Sequence, residues 1–377
     1  MGVRFQLLSR ARDLAREDWN RLAADASPMM EWEYYDALEQ SGAVSPDRGY
    51  RPMHLLAYAG DSARPVALAP LYERDRAWVE FGDGGLIEFL TELTGIPFNH
   101  GLVGGLPFTP VPAYRFLFAP EVDRSELTQS ILSYIDYYCE THGLATSRLY
   151  FIDAEAPDLH TRLALQGYVG LRTEYCLWFN RGYRTFDDYL ESFRSSRRTK
   201  IRRELRSIEG MGVEIRMVDG RDAPLAYFDD LYRLYERTWI KHMGPQIRPF
   251  LNEAFFRLLY VNFRQRCSFS VASLDGERIG MALFYGKEDH LYGRYWGCSR
   301  ETPFLHFATC YYRPILHAIQ QGIRVMDPGF GGEHKLIRGY EVVPVHHYIK
   351  FYGESQRQIA MSVLKQMGLS RLTPSKP

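Results

Sequence analysis

Five side chains able to carry charge or move a proton fall within one short glycine-rich segment, Gly329-Phe-Gly-Gly-Glu-His-Lys-Leu-Ile-Arg-Gly-Tyr340. Glu333 and His334 are candidate general bases, because a histidine near its free pKa can take a proton from an attacking nucleophile at neutral pH. Lys335 and Arg338 can hold an anion, and Tyr340 adds a phenol. The same types also allow a purely structural arrangement, with His334 on a backbone carbonyl and Glu333 paired to Lys335 or Arg338. Residues 323–328 directly upstream read as a short strand leaving a helix that stops at Gly322. Loops at strand ends are where α/β proteins commonly hold ligands.

Two other stretches carry chemistry. Residues 291–297 alternate so that Tyr292, Arg294 and Trp296 share one strand face. An arginine there is costly if dry and unpaired, so it calls for a ligand anion or an acid such as Asp327 or Glu333. Trp296 would line the same space. His306 follows the Pro303 turn just ahead of a helix expected from about Ala308, where it can cap the helix or add a donor to its anion-attracting end. Residues 194–206 hold seven basic residues and one acid. Ile201, Leu205 and Ile208 form one apolar helix face, leaving Arg197, Arg198, Lys200, Arg202 and Arg203 as candidate phosphate ligands, since arginine forks match phosphate oxygens. The plainer alternative is a solvated face balanced by Asp187, Asp188 and Glu191.

The elements that must position these groups read as two copies of one α/β unit. Strands at 53–58 and 66–72 join through Gly60-Asp61, and strands at 268–274 and 279–285 join through Asp275-Gly276. A local phrase also recurs, Leu106-Pro-Phe-Thr-Pro-Val111 in the first half and Thr302-Pro-Phe-Leu-His-Phe307 in the second. The expected fold class is α/β with tandem domains, each a mixed central sheet flanked by helices. The domains are 1–180 and 181–377, the second including the basic helix 194–209.

Bulk properties narrow the function class. With 377 residues, two domains are expected. Basic and acidic residues number 46 each, so global charge does not decide polyanion binding and local clusters must. The five cysteines are scattered without metal spacing, which predicts reduced thiols in the cytoplasm and no metal site. Arginines interrupt the N-terminus and no apolar run approaches eighteen residues, so neither a signal peptide nor a membrane span is expected. P-loop, Rossmann, HExxH and GxSxG motifs are absent.

Residues 180–189, 196–204, 292–298, 304–307 and 332–340 together resemble the FemAB-like predicted N-acyltransferases of peptidoglycan-biosynthesis type, within the GNAT superfamily. Residues 70–72 and 107–111 resemble them more loosely. The resemblance implies tandem GNAT-like domains that transfer an acyl or aminoacyl group to an amine, without a bound cofactor. Relatives in the wider FemAB group use aminoacyl-tRNA, whereas ordinary GNAT enzymes use acyl-CoA and show an [RQ]xxGx[GA] loop after the equivalent strand. Here that stretch is Cys298-Ser-Arg-Glu-Thr-Pro-Phe304, without glycine. With the basic helix, this favours aminoacyl-tRNA as co-substrate and tRNA as a partner, over acyl-CoA or a carrier-protein thioester. The acceptor would be an amine-bearing small molecule or peptide. Glu333 and His334 would be catalytic, with Arg294, Trp296, His306, Lys335, Arg338 and Tyr340 binding substrate. The rival of another class is a nucleic-acid-binding protein without catalysis.

Overall fold

The computed structural model describes residues 2–75 and 81–367, and of Glu333 the backbone alone. The chain forms two compact units, Met1–Glu174 with Pro344–Pro377, and Tyr175–Val343. Unit 1 contributes strands β1 (Val3–Leu8), β2 (Arg51–Pro52), β3 (His54–Ala59), β4 (Ala67–Ala69), β5 (Leu71–Arg74), β6 (Gly101–Gly104), β7 (Leu117–Phe118) and β8 (Thr146–Ile152). Strand β9 (Val169–Phe179) then carries the chain into unit 2, which holds β10 (Glu214–Asp219), β11 (Cys267–Leu274), β12 (Glu277–Lys287), β13 (His290–Cys298) and β14 (Val325–Asp327). Strand β15 (Glu341–Phe351) brings it back.

The expected repeat is visible in how these strands pair. In unit 1, β5 is antiparallel to β6, β6 is parallel to β8, and β8 is antiparallel to β15. In unit 2, β12 is antiparallel to β13, β13 is parallel to β14, and β14 is antiparallel to β9. A parallel pair needs a crossover long enough to return the chain. Helix Arg124–His142 lies in the first crossover, and helical residues 305–321 make the second. Both units are therefore mixed sheets with helices, and small hairpin-built additions accompany the first as β1–β3–β4–β7.

The repeated Pro-Phe phrase has a conformational counterpart. Phe108 and Phe304 both adopt left-handed backbone, at φ +56° and +64°. Bulky residues rarely do so, and the two occurrences follow the first strand of each parallel pair.

The division of the sequence differs from a simple cut near residue 180. The strand after each parallel pair is exchanged: Trp178 and Phe179 pair with β14, while His346–Phe351 pair with β8. Residues 344–377, expected in the second domain, thus cluster with unit 1. The physical reason is that backbone hydrogen bonding follows whichever strand edge lies open, irrespective of sequence distance.

In unit 2 the core gathers Trp178, Tyr189, Leu190, Ile201, Phe284, Ile315 and Met326. The basic helix Ser195–Gly210 joins it through Ile201, and Ile208 packs into an adjoining cluster with Val213 and Ile279. Each such aliphatic burial contributes roughly 1.5–3 kcal/mol, enough to hold down a helix whose other face repels itself. The preceding helix Phe186–Glu191 starts on a reciprocal cap, with Thr185 Oγ1 accepting from the Asp188 N–H and Asp188 accepting from the Thr185 N–H.

Candidate functional site

The site is built where β13 and β14 part. Along β12 and β13, Leu283 faces Tyr295 and Phe284 faces Gly293, so Arg294 is the extra residue of a bulge. Bulges bend a strand and re-aim a side chain. On the other side, β14 is in register with β13 up to the Tyr292–Asp327 pair. Beyond it the chain turns through Gly329, Gly331 and Gly332, all at positive φ, into the turn Glu333–Arg338. A Cβ at Gly332 would lie 2.6 Å from His334 Cε1, so glycine is required for that ring to fold back.

These features open a cleft of about 260 Å³. Arg294, Trp296, His306, Tyr311, His334 and Lys335 line it, together with the glycine loop. The crossover helix reaches it through a π-helical turn, Ala308–Tyr312, which presents Cys310 and Tyr311. Such single turns recur at functional sites because they displace side chains from ordinary helical spacing.

Asp327 anchors the floor. Its buried carboxylate accepts the Tyr175 hydroxyl at 2.8 and 3.0 Å and the Gly329 N–H at 2.7 Å. Burial pushes its pKa up, and the charge of Arg294 opposes that shift. A buried acid near Arg294 is thus one of the two partners the strand pattern called for. Lys335, also buried, donates from Nζ to the Gly329 carbonyl at 2.5 Å. Burial lowers its pKa, while Asp327 works against the loss of its proton.

The histidines are held neutral. His334 Nε2 lies 2.9 Å from the Tyr311 hydroxyl, and its pKa is lowered first by burial, then by Arg338 and Lys335. His306 is pushed down to about 4, chiefly by burial, with His334, Lys335 and Arg338 adding to it. Its ring packs between Trp296 and Tyr311, with centroids 5.4 and 5.2 Å away, and it is not left to cap the helix from outside.

Not every residue singled out from the sequence reaches the cleft. Arg338 is buried against Glu204, with Nη2 to Oε2 at 2.9 Å, and its guanidinium lies 3.5 Å above the Phe307 ring. Tyr340 is buried behind Tyr311 and points its hydroxyl at Met326 Sδ, 3.9 Å away. Tyr292 stacks on His290. The Glu333 side chain lies outside the described residues. On the basic helix, Arg197 donates to the Ile337 carbonyl at 2.6 Å, and Arg202 pairs with Asp187 at 3.1 Å. Among the described residues, Arg198, Lys200 and Arg203 make no ion pair, and Lys200 and Arg203 are exposed.

Tyr175 and Tyr311 were not singled out from the sequence. Tyr311 had a faint signal in its spacing from His306, which the π-turn makes unreadable as an ordinary helix. Burial raises the Cys310 thiol pKa well above its usual value, so it lines the cleft as an inert wall.

A profile of the FemAB-like family, one of peptidoglycan biosynthesis/recognition, matches residues 10–368. The chain belongs to the FemAB-like family. It is an acyltransferase, and both of its units are mixed sheets accompanied by helices. No curated protein sequence matches it. Among solved structures it is similar to FemX, with 10% identity, a TM-score of 0.57, and coverage of 92% of this chain and 98% of that one. It is also similar to the C-terminal domain of a putative lysylphosphatidylglycerol synthetase from Agrobacterium fabrum, with 12% identity, a TM-score of 0.53, and coverage of 92% and 96%. L-PGS from Bacillus licheniformis shows 13% identity, a TM-score of 0.51, and coverage of 93% and 96%. Identities this low speak to the shared fold. Among the described residues, no helix is long and apolar enough to cross a membrane, and no cluster of His, Cys, Asp and Glu could hold a metal ion.

Proposed function

We propose that the unit 2 cleft transfers an aminoacyl group from aminoacyl-tRNA to the amine of a small-molecule or peptide acceptor. The observation that carries this reading is one cleft lined by two cations, Arg294 and Lys335, and by a histidine kept neutral, His334. The amine attacks the ester carbonyl, and the C–N bond forms as the carbonyl oxygen takes the negative charge. Arg294 and Lys335 stabilise that oxyanion, which a water-poor site strengthens. With the Nε2 proton of His334 donated to Tyr311, its Nδ1 lone pair takes the ammonium proton. The C–O bond then breaks, and His334 returns the proton to the departing ribose oxygen. No net proton or electron is required.

The helix Ser195–Gly210 supports a polyanionic donor through Arg198, Lys200 and Arg203, whereas Arg197 and Arg202 are engaged within the protein. The Cys298–Phe304 stretch supports the same choice over acyl-CoA. It offers no glycine turn for a pyrophosphate, and Phe304 occupies the N-cap of the following helix. The donor places the reaction in the cytoplasm.

Labelled aminoacyl-tRNA and acetyl-CoA, each offered with a panel of amines, test the donor. Label should pass from tRNA to an amine. Amine-dependent release of free thiol from acetyl-CoA would instead establish the thioester reading. His334→Ala should lower the rate on the order of 10²–10⁴-fold while leaving tRNA binding in place. Glu333→Gln assayed beside it decides which of the two residues takes the proton. Rates within about threefold of wild type in both would remove the base assignment, and label that stays on tRNA with every amine would overturn the donor reading.

A further inference from the structure

We propose that Glu204 and Arg338 are positioning residues that lock the catalytic turn to the donor-binding helix, an inference resting on the reading of the cleft given above. Sequence spacing placed Arg338 with the anion ligands and Glu204 as a lone acid in a basic run. The structure makes them partners. Arg338 Nη2 donates to Glu204 Oε2 at 2.9 Å, and Nη1 donates to the backbone carbonyl of His334 at 2.9 Å. The same guanidinium therefore touches the helix with one nitrogen and the peptide of the proposed base with the other.

The grip is reinforced from three directions. Tyr312, from the π-helical turn, donates its hydroxyl to Glu204 Oε2 at 2.5 Å. Tyr189, from the helix Phe186–Glu191, donates to the Arg338 carbonyl at 2.8 Å. Arg197 bridges the Ile337 carbonyl at 2.6 Å and approaches Glu204 Oε1 at 3.7 Å. Arg197 is thus a brace of the turn, not a phosphate ligand. The turn Glu333–Arg338 is held at both ends, since Lys335 also donates to Gly329.

A buried ion pair is weak evidence for added stability, because desolvating both charges offsets most of their attraction. Holding one geometry is the better account here. Catalytic groups misplaced by an ångström lose on the order of 10²-fold in rate. The exposed cations Lys200 and Arg203 lie on the very helix that supplies Glu204. Binding of donor phosphates on that outer side and placement of His334 on the inner side then share one rigid element.

The test uses the full-length protein with labelled aminoacyl-tRNA and with no substrate at all. Arg338→Met and Glu204→Gln should lower kcat at least tenfold with donor KM within about threefold of wild type, and Arg338→Lys should recover part of the loss. His334 is faced by His306 and Tyr311 from the crossover helix and by Lys335 and Arg338 from its own turn. Removing the Arg338 charge should therefore raise the His334 pKa, read by NMR titration of its ring proton in folded protein. Should Arg338→Met fail to fold, Tyr312→Phe removes one bond to Glu204 and should cost about threefold in kcat alone. Folded variants with unchanged kcat, a loss confined to KM, or an unmoved His334 titration overturn the proposal. A wild-type protein that does not use aminoacyl-tRNA defeats the donor reading instead, and the NMR titration still decides the positioning claim.

Discussion

The two units present matched ends of a parallel strand pair, and the spaces beyond them differ in size. Beyond β6 and β8, unit 1 leaves a space of about 30 Å³ among Tyr50, Tyr72, Arg74, Phe108, Tyr150 and Phe151. That is room for water and little else. Arg74 is buried there with its guanidinium 3.5 Å over the Tyr50 ring, and Phe108 packs on Tyr50 at 5.2 Å. Beyond β13 and β14, unit 2 leaves about 260 Å³. The linings differ: Tyr50, Phe108 and Tyr150 crowd the first, whereas Gly329, Gly331 and Gly332 form part of the wall of the second. One strand plan thus ends in a small space in one unit and in a larger cleft in the other.

The sharpest way to break this contrast is to remove matched cations. Arg294→Met or Lys335→Met should lower the transfer rate roughly 10²–10³-fold, the usual loss for an oxyanion donor. Arg74→Met should lower the melting temperature and leave kcat within about threefold. Equal inactivation by Arg74→Met would mean that unit 1 also carries chemistry.

Acid should strain both units through a buried histidine. His306 in unit 2 is pushed down to about 4 and His347 in unit 1 to about 3, each mainly by burial. Between those values and the unfolded pKa of about 6.5, the unfolded chain binds protons that the folded chain refuses. Stability is therefore complete above about pH 6.5 and falls as pH drops. The His306 share reaches roughly 3 kcal/mol near pH 4. Denaturant titrations from pH 7 to 4 should show this slope, and His306→Gln should make it shallower. A slope unchanged by that substitution would show that His306 protonates freely in the fold.

Loop glycines should separate the units next. Gly332→Ala meets both a φ of +90° and the His334 ring, and should cost about 1–2 kcal/mol together with a fall in kcat. Gly105→Ala would place a Cβ 3.7 Å from that of Tyr150, an ordinary contact, and should be nearly silent. Comparable losses in both would mean that backbone freedom is not what distinguishes the cleft. The smallest effect is electrostatic. Replacing Arg198, Lys200 and Arg203 with alanine should weaken donor binding and flatten its logarithmic salt dependence by roughly two units. An unaltered slope would move the phosphate contacts elsewhere.

Legibility from sequence followed locality. The hairpins with Asp275-Gly276 and Gly60-Asp61, the helix stop at Gly322, and the inward face Ile201–Ile208 depend on neighbours within a turn or a strand, and all could be read directly. Arg294, Trp296, His306, His334 and Lys335 were placed in one site because their segments flank strand ends, and they do line one cleft. For Arg202 the sequence already offered Asp187, and the two pair at 3.1 Å. The partners of Arg338 and Arg197, namely Glu204 and the Ile337 carbonyl, are made neighbours only by packing. Tyr175 escaped for the same reason, since its partner Asp327 lies far along the chain.

Short motifs carried the resemblance to the family, and residue types and their spacing gave the α/β repeat and the strip of charged and proton-carrying groups that follows the glycine loop. Those properties are set by the order of side chains and by backbone preference, which need no distant partner. Tertiary structure alone decided which cations line the cleft and which bond to the turn Glu333–Arg338. It also decided that β9 and β15 exchange partners, and that two similar strand ends leave spaces of different size. Each of these outcomes rests on burial and on long-range hydrogen bonds, whose energies exist only once remote segments have met.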